Sequence, residues 1–251
     1  MSIDLNADVG ESFGPWQMGE DEALIPLVSS VNIACGFHAG DPSTMERTVA
    51  LAIHAGCAIG AHPGYPDLAG FGRREMAMSH AELEAALVYQ IGALAAFVRA
   101  AGAELRHVKA HGALYNRAAR DVETAETIIR AVRRVSPGLA VFALPGSPLI
   151  DVARAAGLKV AVEGFADRAY EPDGSLRSRR HADAVIDDPA AVAAQAVELA
   201  QARGVTAIDG TRLDIRPDTL CVHGDRPGAA GRARAVRHAL DAAGITVAPI
   251  A

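Results

Sequence analysis

The chain has 251 residues, 50% of them hydrophobic and 22% charged, and a formal net charge of −6. That composition excludes a disordered, solvating chain, because there is ample apolar surface to bury. An excess of 30 acidic over 24 basic residues offers no electrostatic footprint for nucleic acid, and no run approaches the roughly 18 consecutive apolar residues of a membrane span.

The start, Met1-Ser2-Ile3-Asp4-Leu5-Asn6, has no basic n-region and no apolar h-region, so no secretory signal is expected. Cys35, Cys57 and Cys221 are far apart and lack C-x-x-C spacing, which argues against a disulfide framework and a structural zinc site. A cytoplasmic location is the expectation. No Ser/Pro/Gly-rich linker divides the chain, and α/β barrels reach about 200–250 residues as one unit, so a single domain over 1–251 is expected. Self-assembly into a homo-oligomer is left open.

Strand-like and helix-like stretches alternate in chain order, which predicts parallel strands covered by helices. The predicted strands are 3–7, 31–34, 57–61, 105–110, 139–144, 159–162, a short one at 205–208, and 219–222; residues 245–249 either finish the sheet or lie outside it. Asp41-Pro42 and Asp188-Pro189 each read as an N-cap with proline at the first helical position. Ser79-His80-Ala81-Glu82 reads as a capping box before a helix at 83–101. Gly56, Gly102, Gly157, Gly204 and Gly244 sit where left-handed C-caps are wanted. The long irregular stretches 10–19, 62–78 and 164–181 each follow a strand, where α/β proteins place their chemistry.

Buried parallel strands normally read as continuous Val/Ile/Leu runs, but several here alternate. Ile3, Leu5 and Ala7 face away from Asp4, Asn6 and Asp8, while Ile59 and Ala61 face away from Gly60 and His62. Val108 and Ala110 oppose His107, Lys109 and His111, and Leu220 and Val222 oppose Cys221 and His223. Side chains alternate with period two, so each strand has one greasy face and one small or polar face. A closed (β/α) barrel satisfies this pattern, with the greasy parity against the helices and the other in the lumen. Asp8, His62, His111 and His223 then gather at the C-terminal rim, where barrel enzymes keep their sites. His107, near a strand start, reads as a packing residue. Lys109, a lysine in a strand, must be paired or used.

Three loops extend the rim. Residues 32–41 cross two glycines into a helix, residues 62–74 end in Arg73-Arg74, and Glu163, Asp167, Arg168 and Tyr170 open the third. Arginine pairs carboxylates bidentately, which makes Arg73 or Arg74 a candidate clamp for an acidic substrate. There is no P-loop, no G-x-S-x-G elbow, no G-x-G-x-x-G after the first strand and no H-E-x-x-H. Metal binding by Asp8 with His38, His62, His111 or His223 stays open, since barrel mouths collect ligands from separate strands.

Taken together, Asp4-Leu5-Asn6-Ala7-Asp8-Val9-Gly10-Glu11, the 32–41 and 59–67 segments, Phe71-Gly72-Arg73-Arg74, His107 to Asn116, Phe165 to Tyr170 and Val222-His223-Gly224-Asp225 resemble the LamB/YcsF family. Its members include the A subunit of bacterial 5-oxoprolinase. The resemblance runs in order over nearly the whole chain. It implies an irregular seven-stranded, TIM-like (β/α) barrel of the glycoside hydrolase/deacetylase type. It also implies ATP-dependent opening of 5-oxo-L-proline to L-glutamate with partner subunits B and C, ATP serving as cosubstrate with Mg2+. In this family proline commonly stands where this chain has Ala110, a residue that faces away from the lumen on the parity pattern.

On that basis Asp8, His62, Lys109, His111 and His223 are the expected catalytic residues. Asp8 is the general base or a metal ligand, and His62 and His111 move protons or hold a metal. Lys109 or His223 stabilises the oxyanion. Asn6, Asn32, His38, Arg73, Arg74, Tyr115 and Asp225 are the expected substrate-binding residues, and Asp8, His38, His62 and His111 the metal candidates. The competing expectations are a stand-alone metal-dependent deacetylase and a non-catalytic subunit that delivers a small acid.

Overall fold

The computed structural model describes residues 1–250 except Arg203. The described strands are β1 (Ser2–Val9), β2 (Ser30–Ala34), β3 (Ala58–His62), β4 (Leu105–Val108), β5 (Ala140–Ala143), β6 (Val160–Phe165), β7 (Val205–Thr206), β8 (Arg212–Leu213), β9 (Thr219–Cys221) and β10 (Thr246–Val247). The α-helices are α1 (Asp21–Leu24), α2 (Pro42–Ala55), α3 (His80–Ala100), α4 (Gly112–Ala118), α5 (Val122–Val135), α6 (Pro148–Ala155), α7 (Pro189–Val197) and α8 (Ala229–Ala242). β1 to β6 pair in order, β6 pairs with β9, and β9 pairs back with β1. All of these ladders are parallel, so the described strands close a seven-stranded barrel.

Local chemistry starts the helices where the sequence expects. The Asp41 carboxylate accepts from Ser43 and Thr44 N–H with Pro42 in the first turn of α2, and Asp188 accepts from Ala191 N–H at the start of α7. Ser79 and Glu82 close a reciprocal capping box on α3. By length and composition α3 could cross a membrane; here Leu83, Leu87, Ile91, Leu94 and Val98 are buried in the core, and the helix packs on β3, β4 and α5. Burying one such aliphatic side chain contributes about 1.5–3 kcal/mol, so the helix is held by its core stripe.

Three expectations need correction. β7 is not a barrel strand but pairs antiparallel with β8 in a separate hairpin; a Cβ on Gly204 would stand 2.7 Å from the Leu213 carbonyl oxygen, so the hairpin's close approach requires glycine there. Glu163, read as opening a loop, lies within β6 with its side chain fully buried. β4 stops at Val108, so the parity rule no longer governs Ala110, which contributes to the cavity wall. The terminal stretch joins the sheet as β10, beside Ser2 and Ile3 of β1.

The lumen is a stack of polar layers. At the bottom the buried Asp4 carboxylate accepts from the hydroxyls of Ser29, Ser30 and Thr219. Above it His107 stacks on Phe142 with ring centroids 4.1 Å apart and donates from Nε2 to Asn32 Oδ1 at 2.8 Å. Glycine at position 60 makes room for that ring, because a Cβ would lie 2.1 Å from His107 Nε2.

Burial pushes the His107 pKa down to about 3, with the Lys109 charge adding to the effect. An unfolded histidine titrates near pH 6.5, so below that pH the unfolded chain takes a proton that the folded one refuses. The His107 contribution is therefore complete above about pH 6.5 and drains away towards pH 3, at up to about 1.4 kcal/mol per pH unit. Urea unfolding at pH 6.5, 5.5 and 4.5 should show a slope shallower by that amount in His107→Gln than in the unsubstituted chain. Equal slopes would refute the account.

Candidate active site

Asp8 near the end of β1, Lys109 just beyond β4 and Glu163 on β6 bring the densest charge into the lumen. Lys109 Nζ lies 2.9 Å from Asp8 Oδ1, 2.7 Å from Glu163 Oε1 and 3.1 Å from Cys221 Sγ, at 5.4 Å from the Phe165 ring centroid. Burial opposes a charge on Lys109, but Asp8, Cys221 and Glu163 outweigh it and hold the ammonium well above its ordinary pKa. Asp8 Oδ1 also accepts from Asn32 Nδ2 at 2.9 Å. Burial would raise the Asp8 carboxyl, yet its contacts with His62 and Lys109 bring it well below the ordinary range. Glu163 Oε2 accepts from the Tyr115 hydroxyl at 2.6 Å, and its Oε1 from Asn6 Nδ2 at 3.1 Å. Burial, with Glu163 beside it, pushes the Tyr115 phenol well up, so it stays a donor.

Beside this ion cluster three imidazoles crowd together. His62 Nδ1 donates to the Lys109 carbonyl at 2.8 Å, and His111 Nε2 donates to the Phe71 carbonyl at 2.8 Å. Their other nitrogens, His62 Nε2 and His111 Nδ1, face each other at 2.9 Å. His38 stacks on His111 with centroids 3.7 Å apart, and Glu11 Oε1 is 3.6 Å from both His38 Nε2 and His111 Nδ1. Burial lowers the His38 and His111 pKa values well below normal, with neighbouring histidines adding to it, and raises that of Glu11, helped by Asp8. The Glu11, His38, His62 and His111 donor atoms all lie within 4.8 Å of one another, a set that can hold a metal ion.

Just past β9 His223 donates from Nδ1 to Asp167 Oδ1 at 2.9 Å, and its backbone N–H reaches Asp167 Oδ2 at 2.9 Å. Against the cost of burial, those contacts hold the Asp167 carboxyl down to about 2. The other His223 nitrogen makes no hydrogen bond among the described residues. Asp225 Oδ2 pairs with Arg73 and Arg179, while its buried Oδ1 has no partner among the described residues. Asp8, Glu11, His62, Lys109, His223 and Asp225 all line a single cavity of about 650 Å³ at the C-terminal end of the barrel. Arg73, Arg168, Arg177, Arg179 and Arg180 line it as well. An arginine-rich wall over a polar floor suits a small anionic ligand.

A family model described as the LamB/YcsF family matches residues 3–251. The chain belongs to the LamB/YcsF family. A protein of Chloroflexus aggregans, named as the A subunit of 5-oxoprolinase, is 58% identical over 98% of both chains. One of the same name from Methylococcus capsulatus is 55% identical over 99% of this chain and 96% of its own. The crystal structure of a lactam utilization protein from Thermus thermophilus superposes with a TM-score of 0.95 at 50% identity over the full length of both chains. A putative cellobiose-phosphate cleavage protein of Enterococcus faecalis shares the fold alone, with a TM-score of 0.53 at 12% identity over 98% of this chain and 96% of the other.

In this LamB/YcsF chain Asp8, His62, Lys109, His111 and His223 meet at the cavity, and Arg73, Tyr115 and Asp225 line it with them. Asn6, Asn32 and His38 do not reach its wall: the two asparagines brace Glu163 and Asp8 from below, and His38 is buried behind His111. Arg74 stands outside the cavity lining, ion-paired with Asp67, so of the two adjacent arginines only Arg73 faces the cavity. Glu11, Glu163 and Asp167 are absent from the expected site residues. A buried acid at a strand end was the readable signal for Glu163. For Glu11 the only signal was its place in the Asp4–Glu11 run.

Proposed function

We propose that this chain is the A subunit of an ATP-dependent 5-oxoprolinase, opening 5-oxo-L-proline to L-glutamate together with subunits B and C. The observation that carries the reading is the cavity itself. In a chain 58% identical to a protein of that name, it brings a buried ammonium, a carboxylate-oriented histidine and an arginine-rich wall to one opening.

Each requirement of the reaction has a resident group. Arg73 and Arg179, already turned towards Asp225, offer their remaining N–H groups to the substrate carboxylate. The unpartnered Asp225 Oδ1 accepts the lactam N–H. Lys109 donates to the oxyanion that forms on the ring carbonyl, its charge maintained by Asp8 and Glu163. His223 takes the proton of the attacking water on Nε2 and returns it to the ring nitrogen as the C–N bond breaks, Asp167 fixing its tautomer. Asp8, expected as the base, is held too acidic for that role and serves as the anchor of Lys109. ATP is consumed with the partner subunits, in keeping with the missing P-loop.

The test is glutamate release from 5-oxoproline by the reconstituted complex. Glutamate should form only when this chain, both partner subunits and ATP with Mg2+ are present together. Full activity with this chain omitted, or glutamate from this chain alone without ATP, would overturn the reading.

A further inference from the structure

We propose that Glu11, His38, His62 and His111 form a binding site for one divalent ion of the zinc class. The argument starts from which ring nitrogens still carry lone pairs. A carbonyl oxygen only accepts, so His62 bears its hydrogen on Nδ1, towards Lys109, and His111 bears its own on Nε2, towards Phe71. His62 Nε2 and His111 Nδ1 are then lone pairs pointed at each other across 2.9 Å. Imidazoles fixed from behind by backbone carbonyls are the usual outer arrangement of metal-ligating histidines.

His38 supplies an independent observation. It is fully buried, and among the described residues neither of its ring nitrogens has a hydrogen-bond partner. Burying such a nitrogen unpaired costs roughly 1–3 kcal/mol. A proton shared between His62 and His111 would quiet those two nitrogens and leave His38 unsatisfied. One cation touching all three satisfies every lone pair, with the Glu11 carboxylate 3.6 Å from two of the nitrogens supplying the negative charge. Three imidazole nitrogens and a carboxylate oxygen are a zinc-type donor set. Neighbouring donors on a tetrahedral zinc lie about 3.4 Å apart, so the widest pairs of a set held within 4.8 Å close by up to about 1.4 Å while the facing His62 and His111 nitrogens open from 2.9 Å. Glycines let the rings lie against the loop backbone: a Cβ on Gly64 would stand 3.0 Å from His38 Nδ1, and one on Gly72 2.8 Å from His111 Cδ2.

A second cluster, Asp8, Cys221 and His223, has similar spacing. There the Lys109 ammonium sits 2.9 Å from Asp8 and 3.1 Å from Cys221, so the cationic position is taken by the chain itself. The two clusters are neighbours, yet only one lacks a resident cation.

The proposal goes beyond the lactam reading and is tested without substrate, ATP or partner subunits, so either can fail alone. The full-length chain is stripped with a chelator, loaded with Zn2+ or Co2+, exchanged into metal-free buffer and assayed for metal by mass spectrometry. About one ion per chain should be retained, and the cobalt form should show the intense visible bands of a four-coordinate nitrogen-rich site. His38→Ala and Glu11→Gln, each checked by circular dichroism, should lose affinity by about tenfold or more, while Cys221→Ser should not. Glu11→Gln preserves shape and removes only the anionic donor, so it decides the matter if His38→Ala does not fold. An unsubstituted chain that keeps no metal overturns the proposal, as does Glu11→Gln retaining as much as the unsubstituted chain, or loss confined to Cys221→Ser.

Discussion

Lys109→Met should destabilise the chain by about 3–5 kcal/mol, because removing the ammonium leaves the buried Asp8 and Glu163 carboxylates facing each other without a counter-charge. The methionine fills a similar volume, so a cavity contributes little, and the loss measures the missing charge. The partners are all buried, with Lys109 3% exposed and Glu163 fully buried, so salt should recover little of it. Adding Glu163→Gln removes one uncompensated carboxylate and should restore part of the stability. Turnover should stay down by about 10²–10³-fold even in the restabilised double variant, since no neutral side chain replaces the oxyanion donor. Lys109→Arg is not a rescue, because a planar fork needs room between Asp8, Glu163 and Cys221 that the packed lumen lacks. Urea unfolding of the three variants, with glutamate release from the reconstituted complex, checks the set. A Lys109→Met protein as stable as the unsubstituted chain would show that the Asp8–Lys109–Glu163 contacts do not matter to the fold.

The parts of this site that could be read in advance follow the strand period. Asp8 on β1, His62 on β3 and His107 on β4 share a lumen because alternation carries polar residues to one face of each strand. A barrel is the sheet form in which that face is enclosed. Where the period stops, legibility stops with it. Glu11 reaches the histidines only because Gly10 turns the chain with φ +68 after β1 ends, and no spacing rule foretells the direction of such a turn. Arg73 and Arg74 are adjacent in a loop bent by left-handed Phe71 and Gly72, so which of them faces the cavity is settled by that bend and by the pull of Asp67 and Asp225. Residues 205–208 looked like a barrel strand because a short β-branched run reads the same in a lone hairpin as in a ladder. Asp167 went unassigned because its partner, His223, is 56 positions away in sequence.

His223 and Asp167 act through one imidazole, and that dependence is what a double substitution measures. His223→Gln removes the nitrogen that accepts and returns the proton, and should lower kcat by about 10²–10⁴-fold. Asp167→Asn keeps the shape but turns an amide N–H towards Nδ1, which favours the tautomer with its hydrogen on Nε2, where a lone pair is needed. A comparable loss is expected, about 10²–10⁴-fold, as when the orienting carboxylate of a serine-protease triad is amidated. If the two form a unit, the double variant should be little worse than His223→Gln alone, because an orienter has nothing left to orient. Losses that multiply would mean that Asp167 contributes to turnover by some route other than His223.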